Sequence, residues 1–238
     1  MRGLVTAFGF LTRLPMPRIP FLPGMQADSL KWYPLVGVVL GGLLGGAAAL
    51  SWIVLPPIPA AAVVLVTWVA LTGALHLDGL ADSADAWIGG MGDRARTLSI
   101  MKDPRSGPAG VVALVLVLLL KFSALATLAD PWLLVLPPLF GRAAIVAWFL
   151  TTPYVRVGGL GEPLRGAPAA GCRVALVSAA LSSAFFGKLG LLTFLAALAT
   201  GWLWRRAVLS RLGGFTGDTA GALVEMVEAA TLIVLVSR

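Results

Sequence analysis

The feature that most constrains this chain is a series of apolar runs, most of them long enough to cross a lipid bilayer. A hydrocarbon core about 30 Å thick takes about 20 helical residues. Candidate spans on that basis are residues 33–55, 60–77, 108–128, 131–151, 173–187, 189–204 and 219–236. The fifth and sixth runs are short and adjoin at Gly187 and Lys188, so they could instead form a tight hairpin, a re-entrant pair or one unit. We predict an all-α, polytopic membrane bundle of about seven helices, forming a single domain over residues 1–238.

The distribution of positive charge predicts the orientation of this bundle, because Lys and Arg accumulate on the cytoplasmic side of membrane proteins. Of the 18 Lys and Arg residues, Lys121 and Arg142 fall inside spans. With the N-terminus in the cytoplasm, only Lys188 and Arg238 lie outside. The fourteen on the cytoplasmic side are Arg2, Arg13, Arg18, Lys31, Arg94, Arg96, Lys102, Arg105, Arg156, Arg165, Arg173, Arg205, Arg206 and Arg211. The net charge of +7 is therefore topological and does not indicate nucleic-acid binding.

Three carboxylates follow the second apolar run at helical spacing. Asp78, Asp82 and Asp85 stand at positions i, i+4 and i+7, within about 60° of one another on a helix face. Neighbouring carboxylates repel unless a cation compensates them, and Mg²⁺ with oxygen ligands commonly does so together with substrate phosphates. The alternative is a hydrated helix end. We predict a metal site at this stripe, open to a diphosphate.

A mixed-charge loop with Pro and Gly precedes the third apolar run. Lys102 and Arg105 are candidates for binding phosphate oxygens, and Asp103 is a candidate for completing a metal shell. An ordinary turn with cytoplasmic anchors is the structural alternative, since Gly and Pro are common at such boundaries.

Further charges fall inside the apolar runs. Asp218 is expected to cap the last helix, while Glu225 and Glu228 lie within that helix and carry a binding or metal role. Lys121 and Arg142 either pair with these acids or the triad, or contact anionic groups of a substrate in a polar cavity.

His76 is the only histidine of the chain, which excludes a zinc site built from several histidines. Its two open roles are a general base near neutral pH and a hydrogen-bonded residue at a helix end.

Four ordered motifs give the chain a resemblance to a known family. They are residues 10–17 (FLTRLPMP), 76–85 (HLDGLADSAD), 100–107 (IMKDPRSG) and 213–225 (GGFTGDTAGALVE). Together with the spacing of the apolar runs, they resemble the cobalamin synthase family, also called adenosylcobinamide-GDP ribazoletransferases. The segment 152–172 has no assigned counterpart.

The resemblance implies a Mg²⁺-dependent enzyme of the inner membrane, multi-pass, with its active site facing the cytoplasm. Its substrates would be adenosylcobinamide-GDP and α-ribazole or α-ribazole 5′-phosphate, and its products adenosylcobalamin or its phosphate and GMP. The lipid bilayer is its surroundings, and the sequence leaves open whether it forms a homo-oligomer.

The resemblance and the charge pattern together give each candidate residue a role. His76, Asp82, Lys102 and Arg105 are the expected catalytic residues. Arg13, Lys121, Arg142, Thr216 and Glu228 are the expected substrate-binding residues. Asp78, Asp82, Asp85, Asp103, Asp218 and Glu225 are the expected metal ligands.

Two other classes of protein fit part of the pattern. A membrane phosphotransferase of the CDP-alcohol or prenyltransferase type also uses Asp-rich motifs with Mg²⁺, but its characteristic spacings are absent here. A secondary transporter would use the intramembrane charges as an ion pathway, although no inverted repeat is evident.

Overall fold

The computed structural model describes residues 1–17, 20, 22 and 24–237, so Arg18 and Arg238 of the charge prediction lie outside the described residues. In the described chain the α-helices are α1 Arg2–Leu11, α2 Met25–Ser29, α3 Tyr33–Val54, α4 Pro57–Thr72, α5 Leu75–Gly89, α6 Arg94–Ile100, α7 Pro108–Leu125, α8 Leu136–Thr151, α9 Ala169–Ser182, α10 Gly187–Leu212 and α11 Gly217–Val236. Short 3-10 helices occupy Leu30–Trp32, Pro131–Val135, Glu162–Gly166 and Ser183–Phe186. The predicted all-α membrane bundle is confirmed.

Helix α11 is the centre of the bundle and packs against α5, α7, α8 and α10, while α3 packs against α4 and α8. Helices α8 and α11 are the most enclosed of the long apolar helices. On α7 and α10, by contrast, Val111, Leu119, Leu195 and Leu203 are exposed. Exposed apolar side chains on helices of this length belong in hydrocarbon, so α7 and α10 both face lipid.

The second predicted span, 60–77, is broken in the structure. Helix α4 ends at Thr72, and α5 starts at Leu75 at an angle of 88° to it. The turn needs positive φ at two successive residues, Gly73 at 61° and Ala74 at 58°. The C-terminus of α4 bonds the N–H of Gly73 and Ala74, a common helix-ending arrangement that favours glycine. The bend aims the Asp-rich helix α5 across the bundle.

The fifth and sixth predicted spans form one continuous helical segment, Ala169–Leu212, that folds back on itself. Leu176 of α9 and Leu198 of α10 line one cavity beside α8, although a straight helix would separate them by about 33 Å. The reversal occurs at Gly187, where φ is 55°. Helix α9 has 14 residues, about 21 Å of helix, which is too short to cross the bilayer core alone.

The predicted number of about seven spans is not confirmed. Among the described residues, five helical segments are long and apolar enough to cross a membrane, or six when the bent pair of α4 and α5 counts as one span. Hydropathy alone counted the two arms of the α9–α10 hairpin separately. The cytoplasmic position of the N-terminus stays a prediction.

Candidate functional site

A cavity of about 380 Å³ lies at the end of the bundle where α3, α5 and α11 begin and α8 ends. Six charged side chains line it: Asp78, Asp82, Lys102, Asp103, Arg156 and Asp218. His76 and a set of aromatic and aliphatic side chains complete the wall. The cavity thus gathers residues of all four motifs with the loop after α8.

The acidic part of the cavity is built by two closely packed helices. Asp78 and Asp82 lie one turn apart on α5, and Asp218 lies in the first turn of α11. The helices approach through Gly79 and Gly221, since a Cβ on Gly79 would lie 2.7 Å from the carbonyl oxygen of Asp218. This close approach places carboxylates from two distant motifs on the same wall.

Asp218 was expected to cap α11, but Thr216 does so. The Thr216 hydroxyl accepts a hydrogen bond from the Thr219 N–H at 3.2 Å, and the Thr219 hydroxyl accepts one from the Thr216 N–H at 2.8 Å. This capping box satisfies the helix end without Asp218. The Asp218 carboxylate is therefore available to the cavity, whereas Thr216, predicted to bind substrate, is buried behind the wall.

Asp85 is separated from the other two members of its stripe. Its carboxylate accepts hydrogen bonds from the N–H groups of Gly107 (2.6 Å) and Gly110 (2.9 Å), at the start of α7. Free N–H groups and the positive end of the helix dipole both favour a carboxylate there. Asp85 therefore acts as a helix cap and does not line the cavity, contrary to its grouping with Asp78 and Asp82.

Of the three predicted site residues in the loop before α7, two line the cavity and the third lies outside it. Lys102 and Asp103 line the wall, whereas the Arg105 side chain is 87% exposed. Arg105 donates to the Asp103 carboxylate from Nε (2.9 Å) and a terminal nitrogen (2.7 Å). These hydrogen bonds lower the pKa of Asp103 to about 2. Of the two predicted phosphate-binding cations, only Lys102 lines the cavity.

Arg156 is a cavity residue to which the sequence analysis assigned no functional role. Its guanidinium donates to the Asp218 carboxylate. A bridge between two chain segments positions it: the Val155 N–H donates to the Phe215 carbonyl and the Phe215 N–H to the Pro153 carbonyl, both at 2.9 Å. The sequence did contain a signal for Arg156: it is a cation in a polar, glycine-rich stretch that the charge pattern assigns to the cytoplasmic side.

Tyr154, in the same loop, also lines the cavity. Its hydroxyl accepts a hydrogen bond from the Gly161 N–H at 3.2 Å, and burial raises its pKa above the ordinary value. The ring packs edge-on against Phe215, with the centroids 5.2 Å apart. These contacts hold the loop against the start of α11. Tyr154 belongs to the segment 152–172, which the sequence analysis left without an assigned counterpart.

Four other charged candidates form a network inside the bundle instead. Lys121 Nζ donates to Glu225 at 2.6 Å and to Glu228 at 2.5 Å, and Arg142 donates to Glu228. All four residues are buried, at 4% exposure or less, and none lines the cavity. They pair with one another, which is one of the two predicted alternatives. In this arrangement none of the four is in a position to contact a substrate or a metal ion in the cavity.

His76 connects this buried network to the cavity. Its Nδ1 lies 3.5 Å from a terminal nitrogen of Arg142, and its side chain lines the cavity. Because a guanidinium only donates, Nδ1 is the acceptor in this contact. The contact fits the hydrogen-bonded role of His76, and its role as a general base stays a prediction.

Arg13 supports the bend between α4 and α5. Its N–H donates to the Leu71 carbonyl at 2.7 Å, and its side chain packs where a side chain on Gly73 would otherwise lie. Neighbouring Phe10 and Leu11 line the cavity, but Arg13 does not. Its role in substrate binding stays a prediction.

The donor set suits a hard cation such as Mg²⁺. Within the described residues, no three His, Cys, Asp or Glu side chains converge closely enough to hold a metal ion. Mg²⁺ usually needs only one or two protein carboxylates, with water and substrate phosphate as its other ligands. Asp78 and Asp82, one helical turn apart on the cavity wall, meet that requirement.

Comparisons with known proteins agree with the resemblance. The family model described as Cobalamin-5-phosphate synthase matches residues 3–236. The chain is 54% identical to a protein of Stutzerimonas stutzeri named adenosylcobinamide-GDP ribazoletransferase, over 98% of this chain and 97% of that one. Proteins of the same name from Pseudomonas paraeruginosa and Pseudomonas aeruginosa are each 54% identical over 99% of this chain and 98% of theirs. No solved structure matches the chain significantly. The chain therefore belongs to the cobalamin-5-phosphate synthase family.

Proposed function

We propose that this protein transfers adenosylcobinamide phosphate from adenosylcobinamide-GDP to α-ribazole or α-ribazole 5′-phosphate and releases GMP. The observation that carries the proposal is the convergence of Asp78, Asp82 and Asp218 with Lys102 and Arg156 on one cavity. Carboxylates that bind a divalent cation beside free cations suit a nucleotide diphosphate. The relatives' printed name supplies the two substrates.

In the proposed reaction a ribose hydroxyl of α-ribazole attacks the cobinamide-side phosphorus. The new bond joins that oxygen to phosphorus, the bond from phosphorus to the bridging oxygen breaks, and GMP leaves with the bonding pair. A carboxylate of the wall accepts the hydroxyl proton, because Nδ1 of His76 is directed at the Arg142 guanidinium.

The cations of the wall stabilise the charge that develops on the phosphate oxygens. Within the described part of the chain Lys102 forms no ion pair, and Arg156 can release Asp218 to bind a phosphate oxygen through its planar guanidinium. Asp78 and Asp82 would hold Mg²⁺, which when bound supplies charge neutralisation at the diphosphate. His76 Nε2 offers a further donor to the same oxygens.

We also propose that the cavity opens to the cytoplasm. Lys102 and Arg156 line it, Arg105 pairs with the lining residue Asp103, and Arg94 donates to the Leu212 carbonyl at 2.8 Å, shortly before α11 begins. Excess positive charge favours the cytoplasmic side. Both proposed substrates are soluble in water and would enter from that side.

A direct assay tests the reaction. Purified protein in liposomes is supplied with adenosylcobinamide-GDP and α-ribazole 5′-phosphate, with Mg²⁺ or with excess EDTA, and GMP and the corrinoid product are quantified. We expect stoichiometric GMP and corrinoid product that depend on Mg²⁺. Absence of product from folded protein, beside an active relative as positive control, would overturn the proposal. Turnover that persists in EDTA would remove the metal from it.

A further inference from the structure

The proposed donor substrate is too large for the cavity. A volume of about 380 Å³ is at the lower end of the range for drug-sized ligands, and a corrin macrocycle with its side chains exceeds it. The charged wall that includes Asp78 and Asp82 is the proposed place of the diphosphate. The corrin ring of a donor bound in this way therefore lies outside the mouth, in contact with residues of the rim.

The chemistry of the donor limits how far from the mouth the corrin ring can lie. An aminopropanol arm and a propionamide side chain join the reacting phosphorus to the ring through about eight bonds, which extend to about 10 Å. A phosphorus bound beside Asp78 and Asp82 thus keeps the macrocycle at the rim of the cavity.

A loop that forms part of this rim exposes two apolar side chains. Leu160 lines the cavity and is 70% exposed, and Val157, in the same loop, is 88% exposed. The loop joins α8 to α9 and lies outside the helical segments that could cross the membrane, so contact with the hydrocarbon core does not account for this exposure. Apolar groups exposed beside a binding cavity offer a site to a ligand that has apolar surface of its own.

Hydrogen bonds hold this loop in a defined conformation. The Gly158 N–H donates to the Glu162 carboxylate at 2.6 Å, and the Glu162 N–H donates to the Gly159 carbonyl at 3.0 Å. The Gly161 N–H donates to the Tyr154 hydroxyl, and Gly159 and Gly161 pack against the Tyr154 side chain so closely that neither has room for a Cβ. Because the loop is already ordered, little conformational entropy is lost when a ligand packs against it.

The corrin ring is the part of the donor that suits these side chains. Its edge carries methyl groups and the hydrocarbon stems of amide side chains, whereas the guanosine carries several donors and acceptors that an apolar side chain leaves unsatisfied. When the macrocycle packs on Val157 and Leu160, apolar surface of both partners is removed from water, which favours binding.

We propose that Val157 and Leu160 form a docking surface for the corrin ring of the donor, at the rim of the cavity. This inference rests on the proposed function and deepens it. It divides recognition of adenosylcobinamide-GDP between two places: the charged wall binds the diphosphate, and the loop between α8 and α9 binds the macrocycle. The acceptor nucleoside does not contact this surface.

The first test compares Leu160→Ser with the double variant that also carries Val157→Ser. Both side chains are exposed, so the fold should tolerate the changes. Loss of apolar contact should raise the KM for adenosylcobinamide-GDP about three- to tenfold in Leu160→Ser and further in the double variant. The KM for α-ribazole 5′-phosphate should change less than about twofold, because the acceptor binds elsewhere.

Two fragments of the donor locate the effect. Adenosylcobinamide contains the corrin ring without the nucleotide, and its dissociation constant, measured by equilibrium dialysis, should rise in the variants by the same factor as the KM. GDP contains the diphosphate without the ring, and its inhibition constant against adenosylcobinamide-GDP should keep the wild-type value. Met91→Ser is the matched control, because Met91 is 79% exposed in the turn after α5 but does not line the cavity. It should leave all these constants unchanged.

The outcomes separate the two proposals. No turnover by folded wild-type protein contradicts the proposed function itself. With wild-type turnover, an unchanged KM for adenosylcobinamide-GDP in the double variant contradicts the docking surface alone, as does failure of the wild type to bind adenosylcobinamide. An equal rise in the inhibition constant of GDP would show a general disturbance of the site and overturn the inference. A raised KM for α-ribazole 5′-phosphate alone would place the acceptor at the loop and overturn it too.

Discussion

The chain contains two groups of acidic residues that look alike in sequence and differ in their surroundings. Glu225 and Glu228 lie deep in the bundle, where Lys121 and Arg142 neutralise them. Asp78, Asp82 and Asp218 lie on the cavity wall, where Arg156 pairs only with Asp218. In the deep group, Glu225 and Glu228, two cations of the protein neutralise the two carboxylates. In the cavity group, Asp78, Asp82 and Asp218, only one of the three carboxylates has such a partner.

This difference separates a structural role from a chemical one. Two anions and two cations held together at low dielectric interact strongly and need nothing from outside. Lys121 also lies 4.6 Å from the ring centroid of Trp68, which adds a cation–π contact. Carboxylates without enough cations favour binding of a divalent ion and its phosphate ligand. The comparison predicts that neutralising an acid has opposite consequences in the two groups.

The largest effect is expected for Glu228→Gln in the deep group. Glu228 contacts both Lys121 and Arg142, so its neutralisation leaves a buried excess of positive charge. Breaking a buried pair in this way costs about 3–5 kcal/mol. We expect a strong fall in thermal stability of the detergent-solubilised protein, with less folded protein in the membrane. A melting temperature equal to that of the wild type would break the comparison.

Asp82→Asn, in the cavity group, is expected to reduce activity without reducing stability. Loss of one preorganised electrostatic contact typically lowers kcat by about 100- to 1000-fold. Stability should be equal or higher, because Asn removes repulsion with Asp78. The control is Asp130→Asn: Asp130 caps the Pro131–Val135 helix, a cap that Asn preserves, so activity should stay near wild type. Asp82→Asn with wild-type kcat over a full Mg²⁺ titration would remove Asp82 from the site.

Asp85→Asn tests whether the third acid of the stripe belongs to the cavity group. As a cap of α7, the Asp85 carboxylate accepts hydrogen bonds from two N–H groups, one on each oxygen. The asparagine side chain has one oxygen, so it can keep only part of this bonding. We expect a loss of about 1 kcal/mol in stability and a modest loss of kcat. An activity loss equal to that of Asp82→Asn, with stability unchanged, would return Asp85 to the metal site.

The sequence predicted the helical bundle, which follows from local hydropathy. It offered mutual pairing of the buried charges as one of two alternatives, because an isolated charge in hydrocarbon is costly, but it assigned these residues to substrate and metal binding. It could not place Asp85, whose partners Gly107 and Gly110 become neighbours only when α7 packs beside α5. Arg156 was missed for the same reason, since the bridge between Tyr154 and Phe215 joins segments far apart in the chain.

The predicted number of spans is not confirmed, for a different physical reason. Hydropathy measures composition over a window and does not detect a reversal such as that at Gly187, or the 88° bend after Thr72. The bend matters most for the site, because it turns α5 towards α11 and brings Asp78 and Asp82 to the same wall as Asp218.

The smallest effect is expected for Arg105→Ala, at the exposed edge of the cavity. Arg105 was a predicted catalytic residue, but its side chain is 87% exposed and bonded to Asp103, and exposed ion pairs contribute little. We expect kcat/KM to fall less than about threefold in Arg105→Ala. In Lys102→Ala, which changes a residue of the cavity wall, kcat/KM should fall further. A loss of more than a hundredfold in Arg105→Ala would bring Arg105 into contact with the substrate.

The pH dependence sharpens this last prediction. Arg105 holds the pKa of Asp103 at about 2, below its ordinary value of 3.8. A carboxyl with a lowered pKa contributes stability that is present above its unfolded pKa and is lost as the pH falls through the folded value. Removal of Arg105 therefore changes the ionisation of Asp103 only between about pH 4 and pH 2. The pH profile of kcat/KM between pH 6 and pH 9 should keep its shape in Arg105→Ala, and a new acidic limb in that range would contradict the peripheral role of this pair.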